Sequence, residues 1–340
     1  MLARGSLKVY SRLSGTLLTL TILCEAFWPE RASIGVFACL SLATLTVPRA
    51  WRGANGTALR PAVIWGGVAL LLALVSQSIA LTEPLATGRP MAGHWAYLSV
   101  LATLAALISV LNARTPGGGA WAVLMALLVM VFLIPWLESQ GLARRGGGLA
   151  RLRLDNPWTI FYWLLVIAGV TNFLPTRYGA SALAIGVGFA LEFSGLTRFV
   201  QKPAHLGSVW ESFSISLACA LWLAGERFNA SNTDTTRFDA TWYWFRDHWG
   251  VVWALRVIER FNRSAELHAW PFRLTWHGLA PSVQNGPIPI EPSEEAEATL
   301  KVLLRRFATP SRLNEAGRRA GPSVVSLVRP VAAGDDASRN

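Results

Sequence analysis

Apolar residues gather into long runs over the first two thirds of the chain, and the runs stop at about Leu223–Glu226. Short polar loops, most of them carrying Arg, separate the runs. A helix crosses about 30 Å of hydrocarbon with roughly 20 apolar residues, and about 17 suffice. That length selects candidate spans at 13–28, 32–48, 61–81, 95–112, 120–137, 157–174, 178–194 and 209–225. Beyond residue 226 the sequence becomes mixed and water-compatible, and it holds six of the sixteen tryptophans. The pattern predicts an all-α polytopic membrane protein with about eight transmembrane helices in residues 1–225. A small α-rich C-terminal extramembrane domain is expected over 226–308, and a disordered tail over 309–340.

Details at the ends of the runs support this reading. Trp28, Trp95, Trp121, Trp136, Trp158 and Trp210 sit at run ends, where an amphipathic indole suits the membrane–water interface. Pro61 fits the first turn of a helix, and Pro29-Glu30-Arg31 reads as a tight turn between two short spans. Arg4, Lys8 and Arg12 precede the first run, but no small-residue cleavage site follows it, so an uncleaved first span is expected. Ala182, Gly186, Gly188 and Ala190 make a small-residue face for close helix packing. Glu25, Glu192 and Glu211 lie near run ends, where they are expected to reach water. Asn172, Pro135 and Pro175 are also near ends, so no helix broken at mid-membrane is expected.

Composition agrees with a bilayer setting. Charged residues make up 15% of the chain, against about 25% in soluble domains, and the mean hydropathy is +0.37. The net charge of +11 is uneven: residues 1–225 carry 16 basic and 7 acidic side chains, residues 226–340 carry 15 and 13. The surplus is spread over loops rather than gathered into one soluble patch, which argues against nucleic-acid binding. Lys and Arg are retained on the cytoplasmic side of membrane spans. Before residue 120, eight spans with an inside N-terminus put seven of them inside and two outside. After residue 138 the count inverts, because Arg144, Arg145, Arg151, Arg153, Arg198 and Lys202 fall outside while Arg177 falls inside. Arg227, Arg237 and Arg246, just past the last span, favour a cytoplasmic C-terminus. Cys24, Cys39 and Cys219 lie within apolar runs without CxxC spacing and read as small buried hydrophobes.

In the C-terminal region a polar linker over 226–238 leads to Asp239, a candidate N-cap, and a helix from Ala240 to Leu267. At 100° per residue, Trp242, Arg246, Trp249, Trp253, Arg256, Arg260 and Arg263 share one stripe. Val251, Ala254, Leu255 and Ile258 share the opposite face. The stripe suits an interfacial helix, with indoles at headgroup level and Arg on phosphate. Its partners would be the lipid bilayer, anionic lipid headgroups or another membrane protein. The alternative is an ordinary helix packed on both sides, its Arg paired with Asp247, Glu259 or Glu266. Phe272, Leu274 and Trp276 alternate with polar residues as in a short strand. Ser293 is placed to cap a helix over 294–308, with Glu294, Glu295 and Glu297 at its positive end.

Catalytic signatures are missing: there is no HExxH, GxSxG, Walker A or Cys/His zinc spacing. Neither metal nor cofactor is expected, Glu266, His268 and His277 being the best ligand constellation on offer. Trp249-Gly250-Val-Val-Trp253 resembles the Trp-Gly-x-x-Trp core of the haem-handling segment in membrane proteins of cytochrome c assembly. The resemblance covers five residues. That family's pattern places an acidic residue soon after the second Trp, where here the nearest charge is Arg256, and only His94 and His205 match its flanking ligands by position. The first expectation is a non-catalytic membrane scaffold or assembly factor. The alternatives are a transporter or permease component, a haem-handling protein, and a membrane-embedded enzyme acting on a lipid-linked substrate. The last would use Glu192, Glu211 and Glu226, or Asp247 and His248.

Overall fold

A computed structural model describes residues 29–83, 90–111, 119–147, 152, 154–196, 209–229, 236–281 and 292–318. It is mostly helical (81%), so the class is all-α. The first nine helices are α1 (Pro29–Thr44), α2 (Val47–Ala54), α3 (Arg60–Ala80), α4 (Pro90–Leu111), α5 (Gly119–Phe132), α6 (Ile134–Leu142), α7 (Asn156–Phe173), α8 (Gly179–Leu196) and α9 (Val209–Asn229). The C-terminal part adds α10 (Arg237–Leu267), a two-stranded antiparallel ribbon of β1 (Phe272–Thr275) and β2 (Gly278–Pro281), α11 (Glu294–Leu304) and α12 (Pro310–Arg318).

Four helical stretches among the described residues are long and apolar enough to cross a membrane: Ser33–Ala54, Arg60–Ala80, Met91–Leu111 and Met125–Arg145. Gly179–Phe193 and Phe213–Ala224 are apolar but shorter. The expected span 13–28 lies outside the described residues. Eight is therefore a count of apolar runs, and four of the described helices meet the length criterion.

Two of those four stretches are broken, contrary to the expectation of uninterrupted spans. Pro135 lies inside Met125–Arg145, because the apolar helix runs further than residue 137. Its ring removes one backbone donor and crowds the carbonyl of Val131, so α5 ends and α6 begins at Leu133. The loosened turn finds a side-chain partner: the Tyr97 hydroxyl donates to the Phe132 carbonyl at 2.9 Å. The Tyr97 and Tyr162 hydroxyls also bond to each other, which ties α4, α5 and α7 together. Likewise α1 and α2 are separated before Pro48.

The bundle is apolar outside and carries polar groups within. Leu71 and Ile160 are each 62% exposed. Ile64, Val123, Leu127, Met130, Leu164, Ile167, Leu183 and Val187 are also exposed. Soluble monomers rarely expose so continuous an apolar exterior. Small residues set the helix spacing: Gly169 faces Leu107 and Gly186 faces Val170. A Cβ on Gly188 would lie 2.7 Å from the Ser216 side chain, so the α8–α9 contact requires glycine there.

The C-terminal part differs from the expectation in three places. Thr236, rather than Asp239, caps α10: its hydroxyl accepts from the Asp239 N–H and donates to the Asp239 carboxylate. Asp239 is thus the third residue of a reciprocal cap. Within the expected tail, residues 310–318 form α12, which buries Leu313 and Ala316. Tail-like composition concealed an i, i+3 apolar pair; residues 319–340 lie outside the described residues. The last apolar helix, α9, also runs past the expected 225/226 boundary, to Asn229, and the C-terminal core takes in Ala54, Ala58, Leu59 and Val110 from the bundle.

The most consequential local feature is Gly250, which interrupts α10 with φ 77° and ψ −172°. Side chains rarely adopt this conformation. A Cβ there would also lie 2.2 Å from the Asn172 amide nitrogen and 2.5 Å from its carbonyl oxygen. We expect Gly250→Ala to lower stability by at least about 2 kcal/mol, read as a clear fall in melting temperature of the detergent-solubilised chain. An unchanged melting temperature would mean that α10 can run straight.

Candidate functional site

The C-terminal domain is built onto one end of the bundle. Asn172, buried at the end of α7, donates its amide N–H to the Trp249 carbonyl (3.2 Å) and accepts from the Val252 N–H (3.1 Å). It therefore occupies the gap that Gly250 opens. Trp253 donates its indole N–H to the last carbonyls of α4, Val110 (3.2 Å) and Leu111 (3.0 Å). The α2–α3 turn is tied in by backbone: Ala58 donates to Phe307 and Thr309 donates to Gly56, both at 2.8 Å. Arg312 donates to the carbonyls of Asn55 (2.8 Å) and Gly53 (2.6 Å). An ion-pair node completes the seam. Asp247, nearly buried, faces Arg246 at 2.9 Å and Arg177 of the α7–α8 turn at 3.3 Å.

The Trp/Arg stripe does not form as one surface. Trp242 and Trp249 are 0% exposed and Trp253 is 4% exposed, all within the C-terminal core. Trp249 stacks on Phe245, Trp242 lies tilted against Phe245, and Trp249 and Trp253 meet Phe307 edge-on, so the indoles face the core. Residues 237–249 and 251–267 are two helical pieces separated by Gly250, and the tryptophans of both pieces pack into the same core. Arg246 turns inward as well. It donates to the Trp276 carbonyl (2.9 Å) and lies over the Tyr243 and Trp276 rings. Arg263 stays outside, paired with Glu259 at 3.6 Å. Only Arg256 and Arg260 keep the outward, uncommitted character expected of the stripe.

Those two join Arg306 around a cleft of about 200 Å³ between α10 and α11. Trp253, Val257, Leu303 and Phe307 line its apolar part. Arg256 lies 4.9 Å from the centroid of the Trp253 ring, and Trp253 meets Phe307 edge-on at 5.2 Å. No ion pair joins Arg256, Arg260 or Arg306 to a carboxylate among the described residues. Sequence reasoning missed Arg306, because it comes from a different helix. Its place just past the Ser293-capped helix, beside Phe307, was the available signal.

A second polar feature lies at the opposite end of the bundle. Ser76 donates to the Ala92 carbonyl at 2.8 Å and Gln77 donates to the Ser214 hydroxyl at 3.0 Å, linking α3 to α4 and to α9. His94 of α4 and Glu192 of α8 are also buried, each within about a turn of its helix end. Glu192 is 0% exposed, which corrects the expectation that it reaches water. Tight packing of α8 on α9 through Gly188, with Phe189 and Phe193 beside it, encloses the carboxylate.

Other candidates are placed differently. No group of three His, Cys, Asp or Glu side chains is arranged to hold a metal among the described residues. His268 pairs with Glu295 at 3.5 Å, and His248 contacts the Trp244 carbonyl and the Tyr178 ring. The Trp249–Trp253 pair resembling a haem segment is buried, so it offers no open platform. Glu25, His205 and the side chains of Glu211 and Glu226 lie outside the described ones. Compared with known protein families, curated proteins and solved structures, the chain matches none.

Asp247 serves two arginines, Arg246 of its own helix and Arg177 across the seam. Removing one partner of a buried pair leaves the other charge uncompensated, at about 3–5 kcal/mol when burial is complete. Arg177 is partly exposed, so we expect Asp247→Ala to cost about half of that. The check is limited proteolysis, where cleavage near the α9–α10 connection should accelerate. Wild-type protection in the variant would exclude the node as a clamp.

Proposed function

We propose that this chain is a multi-pass integral protein of the cell's inner or plasma membrane that acts as a non-catalytic scaffold or assembly factor. The observation that carries the reading is the way the C-terminal domain is held. Asn172, Trp253, Asp247 and the α2–α3 turn fix it to one end of an apolar-surfaced bundle. Its exposed arginines therefore stand at a set height beside the bilayer. A rigid, charged platform at a fixed distance from the membrane suits gathering partners or lipids, and none of it requires a reacting group. Chain direction supports eight crossings. Passes alternating from α1 to α9 bring α2, the end of α4 and the end of α7 to the domain, and the further crossing expected over 13–28 from its sequence would put the N-terminus on that side too. We assign the domain to the cytoplasm.

Reporter fusions after residue 340 test this assignment. A fluorescent protein that matures only in the cytoplasm should glow, and a phosphatase that works only outside should be inactive. The reverse pattern would place the domain end of the bundle outside and overturn the proposed topology.

The buried polar end of the bundle favours a second reading, a transporter or permease component. Ionisable residues inside membrane segments are costly and commonly mark pathways. Helices broken at Pro48 and Pro135 suit the same reading. Glu192→Gln separates function from structure. A carboxylate kept for transport should be replaceable with no loss of melting temperature, or with a gain. A fall matching the loss of a buried pair, about 3 kcal/mol or more, would mark Glu192 as structural and remove this reading's main support.

A further inference from the structure

We propose that the cleft between α10 and α11 binds the phosphate of an anionic phospholipid in the leaflet facing the C-terminal domain. The inference rests on the reading of the bundle as membrane-embedded, and it names what the platform holds. Arg256, Arg260 and Arg306 surround one small cavity, and no described carboxylate neutralises them. Several nearby cations are matched: Arg263 by Glu259, Lys301 and Arg237 by Glu297, Arg246 and Arg177 by Asp247; Arg305 is also unmatched but does not line the cavity. Three guanidinium groups around one cavity repel each other, and a phosphate relieves that repulsion with paired N–H···O bonds of matching geometry. The aromatic floor supports the same assignment. Arg256 lies over the Trp253 ring at 4.9 Å, a cation–π contact that holds the guanidinium at the cavity.

Position selects a lipid over a free anion. Trp253 hangs from the last carbonyls of α4, so the cleft starts where the apolar bundle stops. Lipid phosphates lie at that level. Val252 and Leu255, on the adjoining turns of α10, keep their side chains exposed and can meet the first segments of acyl chain. The cavity of about 200 Å³ is smaller than the roughly 300 Å³ of a drug-sized ligand site. It therefore takes a headgroup and leaves the chains in the bilayer.

Native mass spectrometry of the full chain, released from a neutral detergent, tests the proposal. The probes are phosphatidylglycerol, phosphatidylcholine and inorganic phosphate. Wild type should retain phosphatidylglycerol over phosphatidylcholine, and the preference should weaken with salt. The combined variant Arg256→Gln, Arg260→Gln, Arg306→Gln should bind phosphatidylglycerol at least about tenfold more weakly, while Arg263→Gln, outside the cleft, binds as wild type. Should the triple variant fail to fold by its melting curve, Arg306→Gln alone carries the test, with a smaller loss expected. Equal retention of the two lipids, or undiminished binding by the variants, overturns the site. Inorganic phosphate bound as tightly as phosphatidylglycerol overturns the lipid assignment. An alkaline wash of cell membranes separates the two ideas: a chain that washes off fails as a membrane protein, whereas a retained chain without lipid preference fails only at the cleft.

Discussion

Asn172 supplies with its side chain what α10 gives up at Gly250. A helix interrupted by an extended glycine leaves backbone groups on both sides of the break without their usual partners. The Asn172 amide, carrying a donor and an acceptor, meets one group on each side, the Trp249 carbonyl and the Val252 N–H. Two consequences follow. The break keeps a defined angle, because both halves are bonded to the same buried side chain. The C-terminal domain is also anchored to α7, because that side chain belongs to the bundle. The core formed by Trp242, Trp249, Trp253 and Phe307, and the seam made by Trp253 on α4, depend on that angle.

The bundle shows what happens to polar groups when the exterior is apolar. Ser76, Ser99 and Gln77 turn inward and bond to neighbouring helices. Tyr97 does the same at the carbonyl loosened by Pro135. In hydrocarbon a polar group without a partner is expensive, so hydroxyls and amides facing inward serve as helix-to-helix connections. Glycines 169, 186 and 188 let the helices approach closely enough for side chains to interlock.

Periodicity located most helices because helix length and hydropathy are local properties. The α3 helix begins at Arg60, one residue before Pro61, as its composition implied, and the Ser293 cap formed as read. The failures at the seam and the cleft share one cause: each turned on a contact between residues far apart in sequence. Gly250 was read only within a five-residue resemblance, since nothing local reveals that its φ is positive. Asn172 was noted as polar near an end, yet its partners lie 77 and 80 residues away. The stripe joined tryptophans that distant helices cover with arginines that mostly stay exposed, a division that helical spacing alone does not reveal. Arg306 could be paired with Arg256 and Arg260 only once α11 was seen to lie along α10.

The uneven charge count along the loops can now be weighed by what each cation does. The positive-inside tendency concerns charges near the membrane that are available to lipid and field. Several arginines on the domain side are occupied structurally. Arg177 answers Asp247, Arg60 lies over the Trp51 ring, and Arg312 holds the carbonyls of the α2–α3 turn. Counting them as free topological signals overstates their weight. Arg144 and Arg145, at the opposite end, are exposed and carry no such assignment among the described contacts. A tally of bare loops would then favour that opposite end as the cytoplasmic one. Arg256, Arg260 and Arg306 restore the balance. None is paired with a described carboxylate, they line one cavity whose Trp253 bonds to the end of α4, and they lie after the last apolar run. The cytoplasmic side proposed for the C-terminal domain thus draws on three cations that the fold, rather than the sequence order, gathers beside the end of α4.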